Sequence, residues 1–338
     1  MLADVISRDD IRGTYETIRP YIRRTPVIQV DLSELDAASG ASGVSGVSGV
    51  SGVSGVSGVS GAAPPVTTLK LEQLQCAGSF KARGAFANLL LRDVPAAGVV
   101  AASGGNHGVA VAYAAHRRGV PAKIFVPTVS APAKVERIRA LGADLVVSGE
   151  RYADALAAAQ AWVASSGAMN VHAFDQRETL LGQGTLALEL AGQAGDLDTV
   201  LVPVGGGGLI AGIASYFAGT VRVIGVEPDG APTLSYARAQ GAPADAPAGS
   251  IAADALAPRR VGDLVFPITQ SYVEDVVLVD DTSILAAQQA LWRALRIAAE
   301  PAASVGIAAL LAGAYKPAPG ERVAVVISGA NMTPSQLG

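Results

Sequence analysis

The sequence predicts an α/β fold with mostly parallel sheets, and three observations carry that prediction. From residue 66 onward, short β-branched runs alternate with stretches of helical periodicity. Glycine-rich turns follow several of those runs, at the strand ends where open parallel sheets gather their ligands. The composition can fill a core: of 338 residues half are hydrophobic and only 16% are charged, a length suited to about two domains of ~150 residues.

At the start of the chain, Ile11, Tyr15, Ile18 and Ile22 recur at helical spacing behind Ser7, with Asp10 placed to complete a capping box. This predicts an amphipathic helix ending near Thr25 and Pro26. A short strand over 27–30 follows. Residues 42–61 then repeat Ser-Gly-Val, with too much glycine for a packed element and none of the proline a collagen-like repeat needs. That segment reads as a flexible insert in an exposed loop, where extra length adds little closure entropy. Strands are expected over 66–71, 98–102, 123–126, 144–147, 199–204, 221–226, 275–279 and 322–327. Helices fall between them, among others over 80–91, 107–118, 133–141 and 283–297.

Several function classes drop out on composition. A net charge of −4 offers no basic footprint for nucleic acid or acidic membranes. The first residues carry acidic side chains and no apolar core, and the most apolar windows are broken by Asn106 and His107 or by Glu300 and Pro301, so neither a secretory signal nor a membrane span is expected. Cys76 is the single cysteine, which excludes an internal disulfide and a cysteine-based metal cluster. A cytoplasmic protein acting on a small molecule fits these bounds.

Four strand ends carry candidate chemistry. Residues 78–84, GSFKARG, put Lys81 just inside a helix start, with Ser79 placed to cap the helix and Phe80 beside the lysine. The positive end of the helix dipole disfavours an ammonium ion there, which suits an amine that forms a Schiff base. Taken alone, the same residues also describe a surface lysine on an amphipathic helix. Residues 103–108, SGGNHG, bring glycines whose N–H groups can hold a carboxylate, and Asn106, which both donates and accepts. Residues 205–208 are four glycines between a strand and a helix, an anion cradle whose natural guest is a phosphate. That run also matches a dinucleotide pattern through Gly206, Gly208 and Ala211, with Glu227 about 20 residues on as a ribose-binding carboxylate, which would make the chain a nicotinamide-dependent oxidoreductase. The fourth site is SGAN at 328–331, where Ser328 can meet a flat ligand edge or start a turn.

In this order, and together with GQGT at 182–185, GVEP at 225–228 and EPAAS at 300–304, these motifs resemble the fold-type II pyridoxal-phosphate enzymes, in their serine/threonine dehydratase (threonine ammonia-lyase) branch. The likeness covers nearly the whole chain outside the Ser-Gly-Val insert. It implies a tryptophan-synthase-β-like architecture of parallel sheets flanked by helices. The expected larger, cofactor-binding domain combines 1–95 and 172–338, with the insert at 42–61, and the smaller, mobile domain spans 96–171.

The resemblance also implies roles. Lys81 would hold pyridoxal 5'-phosphate and remove the substrate's α-proton. Phe80 would lie against the ring, Asn106 would bond its phenolic oxygen, and Gly205, Gly206, Gly207, Gly208 and the Leu209 amide would cradle the phosphate. Ser328 would meet the pyridine nitrogen, and Glu300 matches an acid near the substrate or ring. Ser103, Gly104, Gly105, Asn106 and His107 would line the substrate carboxylate pocket. A neutral Ser328 makes the ring a weaker electron sink, which favours prompt loss of a β-leaving group. The implied reaction is the dehydration and deamination of L-threonine or L-serine to a 2-oxo acid and ammonia, with phenylserine or 3-hydroxyaspartate as alternative substrates. A homodimer is a further family expectation.

Three departures sharpen the comparison. Related serine racemases carry a serine where Gly104 stands, which argues against racemisation. Cys76 and Ala77 replace a Pro-Thr-like pair before GSFK, with packing as a small hydrophobe the plain role for Cys76. The cation site of the racemase relatives needs a further carboxylate where Thr233 stands, which puts a metal at Glu227 in doubt. His116 and His172 read as structural, and Arg83 as an ion-pair or packing residue.

Overall fold

The computed structural model describes residues 6–39, 66–130, 132–150, 152–256 and 258–333. The Ser-Gly-Val repeat over 42–61 lies outside the described residues. In chain order the elements are α1 (Arg8–Ile18), β1 (Val27–Val30), α2 (Leu32–Ser39), β2 (Val66–Leu71), α3 (Lys81–Leu91), β3 (Val99–Ala102), α4 (Asn106–Arg118), β4 (Ala122–Val126), α5 (Pro132–Ala140) and β5 (Asp144–Val147). They continue with α6 (Tyr152–Ser166), β6 (Met169–Asn170), α7 (Arg177–Ala194), β7 (Thr199–Pro203), α8 (Gly208–Phe217), β8 (Arg222–Pro228), α9 (Thr233–Gln240), α10 (Val265–Tyr272), β9 (Asp275–Val279), α11 (Asp281–Leu295), α12 (Pro301–Leu311) and β10 (Arg322–Ile327).

Two sheets result. One has six strands in the order β1-β2-β10-β7-β8-β9, and the other has four in the order β5-β4-β3-β6. All the pairings are parallel except that of β1 with β2, so the larger sheet is mixed at that edge. The inner strands β3, β7 and β10 are buried on both faces, and period-two alternation sorts their side chains between two cores. Val200 and Val202 of β7, with Ala324 and Val326 of β10, pack with Leu180, Leu186, Ile210 and Ile213. Leu201, Val323 and Val325 point the other way, onto Leu35, Ile284, Leu291 and Ile307. In the smaller sheet Val99 and Ala101 join Phe86, Val109 and Ile138, while Val100 and Ala102 meet Ala155 and Ala159 of α6.

The capping box forms as expected: Ser7 Oγ accepts from the Asp10 amide at 3.0 Å and Asp10 Oδ2 from the Ser7 amide at 3.1 Å. The helix stops at Ile18, short of the Thr25 and Pro26 boundary. Ile22 keeps the helical spacing because it still packs on the core of the smaller sheet after the chain has left the helix.

The GQGT motif has a packing explanation. A Cβ at Gly182 would lie 2.5 Å from the Arg83 carbonyl oxygen, so only glycine lets α7 approach α3 this closely. Arg83 itself is fully buried. It donates to Glu72 at 2.7 and 2.8 Å and to Glu189 at 2.8 and 2.9 Å, while Lys70 donates to Glu189 at 2.7 Å. Burial works against the Arg83 charge, and the two carboxylates more than restore it. This network fastens the helix that begins with Lys81 to β2 and α7.

Candidate active site

Lys81 is the first residue of α3, and no side chain caps that helix. Ser79 is extended at φ −162° and its hydroxyl is buried without a partner, which corrects the expectation that Ser79 caps the helix. The backbone does the positioning instead. Ser79 pairs antiparallel with Gly329, the Phe80 amide donates to the Ser328 carbonyl at 3.1 Å, and the Ala330 amide donates to the Gly78 carbonyl at 3.0 Å. The lysine's turn is thus sewn to the end of β10, beside the buried Ser328. Lys81 Nζ donates to the Ala173 carbonyl at 2.7 Å and sits 5.0 Å from the centre of the Phe80 ring. Burial pushes the Lys81 pKa down to about 8, against an opposing pull from Glu300.

The glycine run follows β7, the neighbour of β10 in the sheet, so it stands beside Ser328 at the carboxyl end of the strands. Gly207 is left-handed at φ 85° and precedes α8. A Cβ at Gly206 would run into the Phe174 ring, and one at Gly208 would lie 2.8 Å from Phe174 Cα. Among the described residues, the amides of Gly205, Gly206, Gly207, Gly208, Leu209 and Ile210 have no acceptor. Six successive orphan N–H groups at a helix start suit an anion such as a phosphate.

A second such loop follows β3. Ser103 Oγ accepts from the Gly105 amide at 3.2 Å, and the amides of Gly104, Asn106, His107 and Gly108 have no acceptor among the described residues. His107 Nε2 is 2.8 Å from the Val171 carbonyl, and burial, helped by Lys81, lowers its pKa to about 3, so it is neutral. Asn106 Nδ2 donates to Glu300 Oε1 at 2.5 Å, and Asn106 Oδ1 accepts from Asn331 Nδ2 at 2.7 Å. Glu300 precedes Pro301 at the start of α12 but makes no cap bond with its side chain. Its Oε2 is buried and unpartnered, and burial raises its pKa.

The structure therefore brings Phe80, Lys81, Ser103, Gly104, Gly105, Asn106, His107, the 205–209 cradle, Glu300 and Ser328 to neighbouring strand and helix ends. Glu227 stands apart from this use. Its oxygens accept from the Leu234 amide at 2.6 Å and the Ser235 amide at 2.9 Å, so it caps α9, and it is fully buried rather than open to a ribose. Cys76 packs in the core of the smaller sheet.

Sequence reasoning missed the segment 172–175. Ala173 receives the lysine amine, Phe174 lies against the glycine cradle, and Asp175 accepts from the amides of Asp263 and Leu264 at 3.0 and 2.8 Å, next to Gly262, whose amide reaches the Gly206 carbonyl. His172 Nδ1 accepts from the Asp175 amide at 2.8 Å and holds this turn, which agrees with a structural role. Arg137 and the Lys134–Asp254 ion pair were also missed, and Asn331, though it ends the SGAN motif, was given no role. Glycine flanking 172–175 would have been a signal, and there is none.

Fold and site together define an α/β protein in which a lysine of depressed pKa is bonded to the turn that packs against an anion cradle. A family model described as "Pyridoxal-phosphate dependent enzyme" matches residues 56–329, and the chain belongs to that family. A phenylserine dehydratase from Ralstonia pickettii is 40% identical over 78% of this chain and 82% of the relative. An L-threonine ammonia-lyase from Geobacter sulfurreducens is 40% identical over 78% of this chain and 66% of the relative. A structure of maize serine racemase aligns with a TM-score of 0.85 at 31% identity, covering 98% of this chain and 96% of the other. The cofactor is pyridoxal 5'-phosphate, and the residues present fit it: an amine of lowered pKa for its aldehyde and six free amides for its phosphate.

Proposed function

We propose that this chain dehydrates and deaminates small β-hydroxy amino acids, L-threonine and/or L-serine, to a 2-oxo acid and ammonia. The carrying observation is the convergence of the Lys81 amine, its pKa lowered to about 8, with two rows of orphan amides, one suited to a phosphate and one to a carboxylate. The names of two relatives, a dehydratase and an ammonia-lyase, support the reaction class.

Pyridoxal phosphate, when bound, supplies an aldehyde that condenses with amines and a ring that draws electrons from the substrate Cα. Lys81 Nζ is the group that would hold the aldehyde carbon, and as a free amine it would accept the substrate's α-proton. The amides of Gly205, Gly206, Gly207, Gly208 and Leu209 would hold the phosphate, with Phe80 against the ring and Ser328 Oγ at the ring nitrogen. Asn106 would donate to the ring oxygen. The amides of Gly104, Asn106 and His107 bind the substrate carboxylate, with Ser103 fixing the loop through Gly105. Glu300, whose pKa burial raises, accepts from Asn106 beside the ligand. The β-hydroxyl departs as water, a water then releases the amine as ammonia, and the net change is amino acid to 2-oxo acid plus ammonia.

Residues 96–171 form the smaller domain in this reading, and its approach to the larger part closes the carboxylate loop on the substrate. A homodimer in the cytoplasm belongs to this reading as a family expectation. Among the described residues no helix is long and apolar enough to cross a membrane.

A second reading, racemisation, has one observation in its favour. A side chain on Gly104 would run into Ser130, so the Ser130 hydroxyl lies where the racemase serine would stand. A panel of L-threonine, L-serine, phenylserine and 3-hydroxyaspartate decides. Keto acid and ammonia from threonine or serine support the first reading. Phenylserine or 3-hydroxyaspartate as the sole active substrate would move the specificity, and D-serine without keto acid would favour the second reading.

A further inference from the structure

We propose that Arg137 is a positioning residue of this reaction: together with the Ala77 carbonyl it fixes the direction of a hydrogen-bonded chain, Arg137 to Asn331 to Asn106 to Glu300, and its charge at the head of that chain strengthens the donor of Asn106. The inference rests on the role given to Asn106 in the proposed function. It follows from which of these groups can only donate.

A guanidinium has donors and no acceptor, so Asn331 must turn Oδ1 towards Arg137 NH1, with which it is in contact. The Ala77 carbonyl can only accept, and it takes Asn331 Nδ2 at 2.9 Å. The two contacts fix the same orientation from opposite sides. Asn331 Nδ2 therefore also faces Asn106 and donates to its Oδ1 at 2.7 Å. Asn106 is left with its amide nitrogen as donor. One N–H goes to Glu300 Oε1 at 2.5 Å, and the other remains for a ligand oxygen. A reversed chain would offer that ligand an acceptor instead, and alignment of successive amides strengthens the last donor.

Arg137 reaches this chain from α5, which packs on the smaller sheet, whereas Asn331 follows β10 of the larger one. Lys134, one turn earlier on α5, pairs with Asp254 in the same direction. The chain is thus complete only while α5 stands against the end of β10. The charged or titratable groups around it are Lys81, Glu300, Lys134, Asp254 and His107.

The test loads wild type, Arg137→Lys and Arg137→Met with pyridoxal phosphate, titrates the visible band of the bound cofactor with pH, and measures kcat and KM for threonine. The expected result for Arg137→Met is a midpoint raised by about one pH unit, because the more anionic form of the cofactor loses donor support, and a kcat lowered about tenfold at nearly constant KM. Arg137→Lys, still a pure donor, restores the wild-type midpoint. A purely structural role would lower the melting temperature and leave the midpoint in place. If the methionine variant does not fold, Arg137→Leu, which likewise cannot donate, replaces it, with a shift in the same direction expected. An unshifted midpoint and unchanged kcat in a folded variant overturn the inference. A wild-type protein that takes up no cofactor at Lys81 would instead overturn the proposed function.

Discussion

Lys81 owes its chemistry to where its amine rests. The side chain leaves solvent and finds a single carbonyl acceptor at Ala173, and burial, only partly offset by the nearby Glu300, lowers its pKa from 10.5 to about 8. At neutral pH much of the amine still carries its proton, and the neutral, nucleophilic fraction grows as pH rises through about 8. The rate at which apoprotein captures pyridoxal phosphate should therefore climb through pH 8 and level off above it. A stopped-flow pH series checks this, and a rise displaced towards the ordinary lysine value near 10.5 would contradict it. The cradle makes a second prediction. Gly206→Ala must displace the Phe174 ring, at a cost of about 1–3 kcal/mol, so cofactor affinity should fall by about tenfold or more in a fluorescence titration while Lys81 remains available.

At the scale of the element, helix starts do most of the work, and each is secured differently. α3 relies on backbone bonds to the end of β10, α8 on a left-handed glycine, and α9 on the carboxylate of Glu227. Burial raises the Glu227 pKa from 4.5 to about 7, although two amides donate to it. The folded protein thus keeps a proton that the unfolded chain releases between those values, so this residue's contribution to stability is full below pH 4.5 and falls as pH rises to about 7. Glu227→Gln, uncharged throughout, should remove that slope in chemical denaturation at pH 5 and pH 7, and an identical slope in the variant would sink the account of this cap.

The strands were legible because buried parallel strands read as short continuous apolar runs, and all eight expected between residues 66 and 327 formed within two residues of the expected ends. The helix-start glycines were legible too, since they are local. Ser79 was misread because a serine before a helix looks like a cap, while its backbone pairs with Gly329, 250 residues away in the chain. The links from Asn106 to Glu300 and Asn331 span 194 and 225 residues, and no local pattern announces contacts of that kind.

The whole molecule divides its labour between two sheets. β10 and β7 lie side by side in the larger one and place Ser328 beside the glycine cradle, while β3 in the smaller one offers the loop of orphan amides that suits a carboxylate. The turn at 172–175 leads from β6 towards α7 and touches lysine, cradle and the 262–264 loop together. This arrangement lets one ligand be held at its phosphate by one sheet and at its substrate end by the other. The most direct measurement of the account is the reaction of cofactor-loaded protein with L-threonine, followed by simultaneous assay of 2-oxo acid and ammonia and repeated with Lys81→Ala. The account predicts the two products in equal amounts from the wild type and neither from the variant. Equal turnover by Lys81→Ala, or a loaded wild type that releases no 2-oxo acid from threonine or serine, would contradict it.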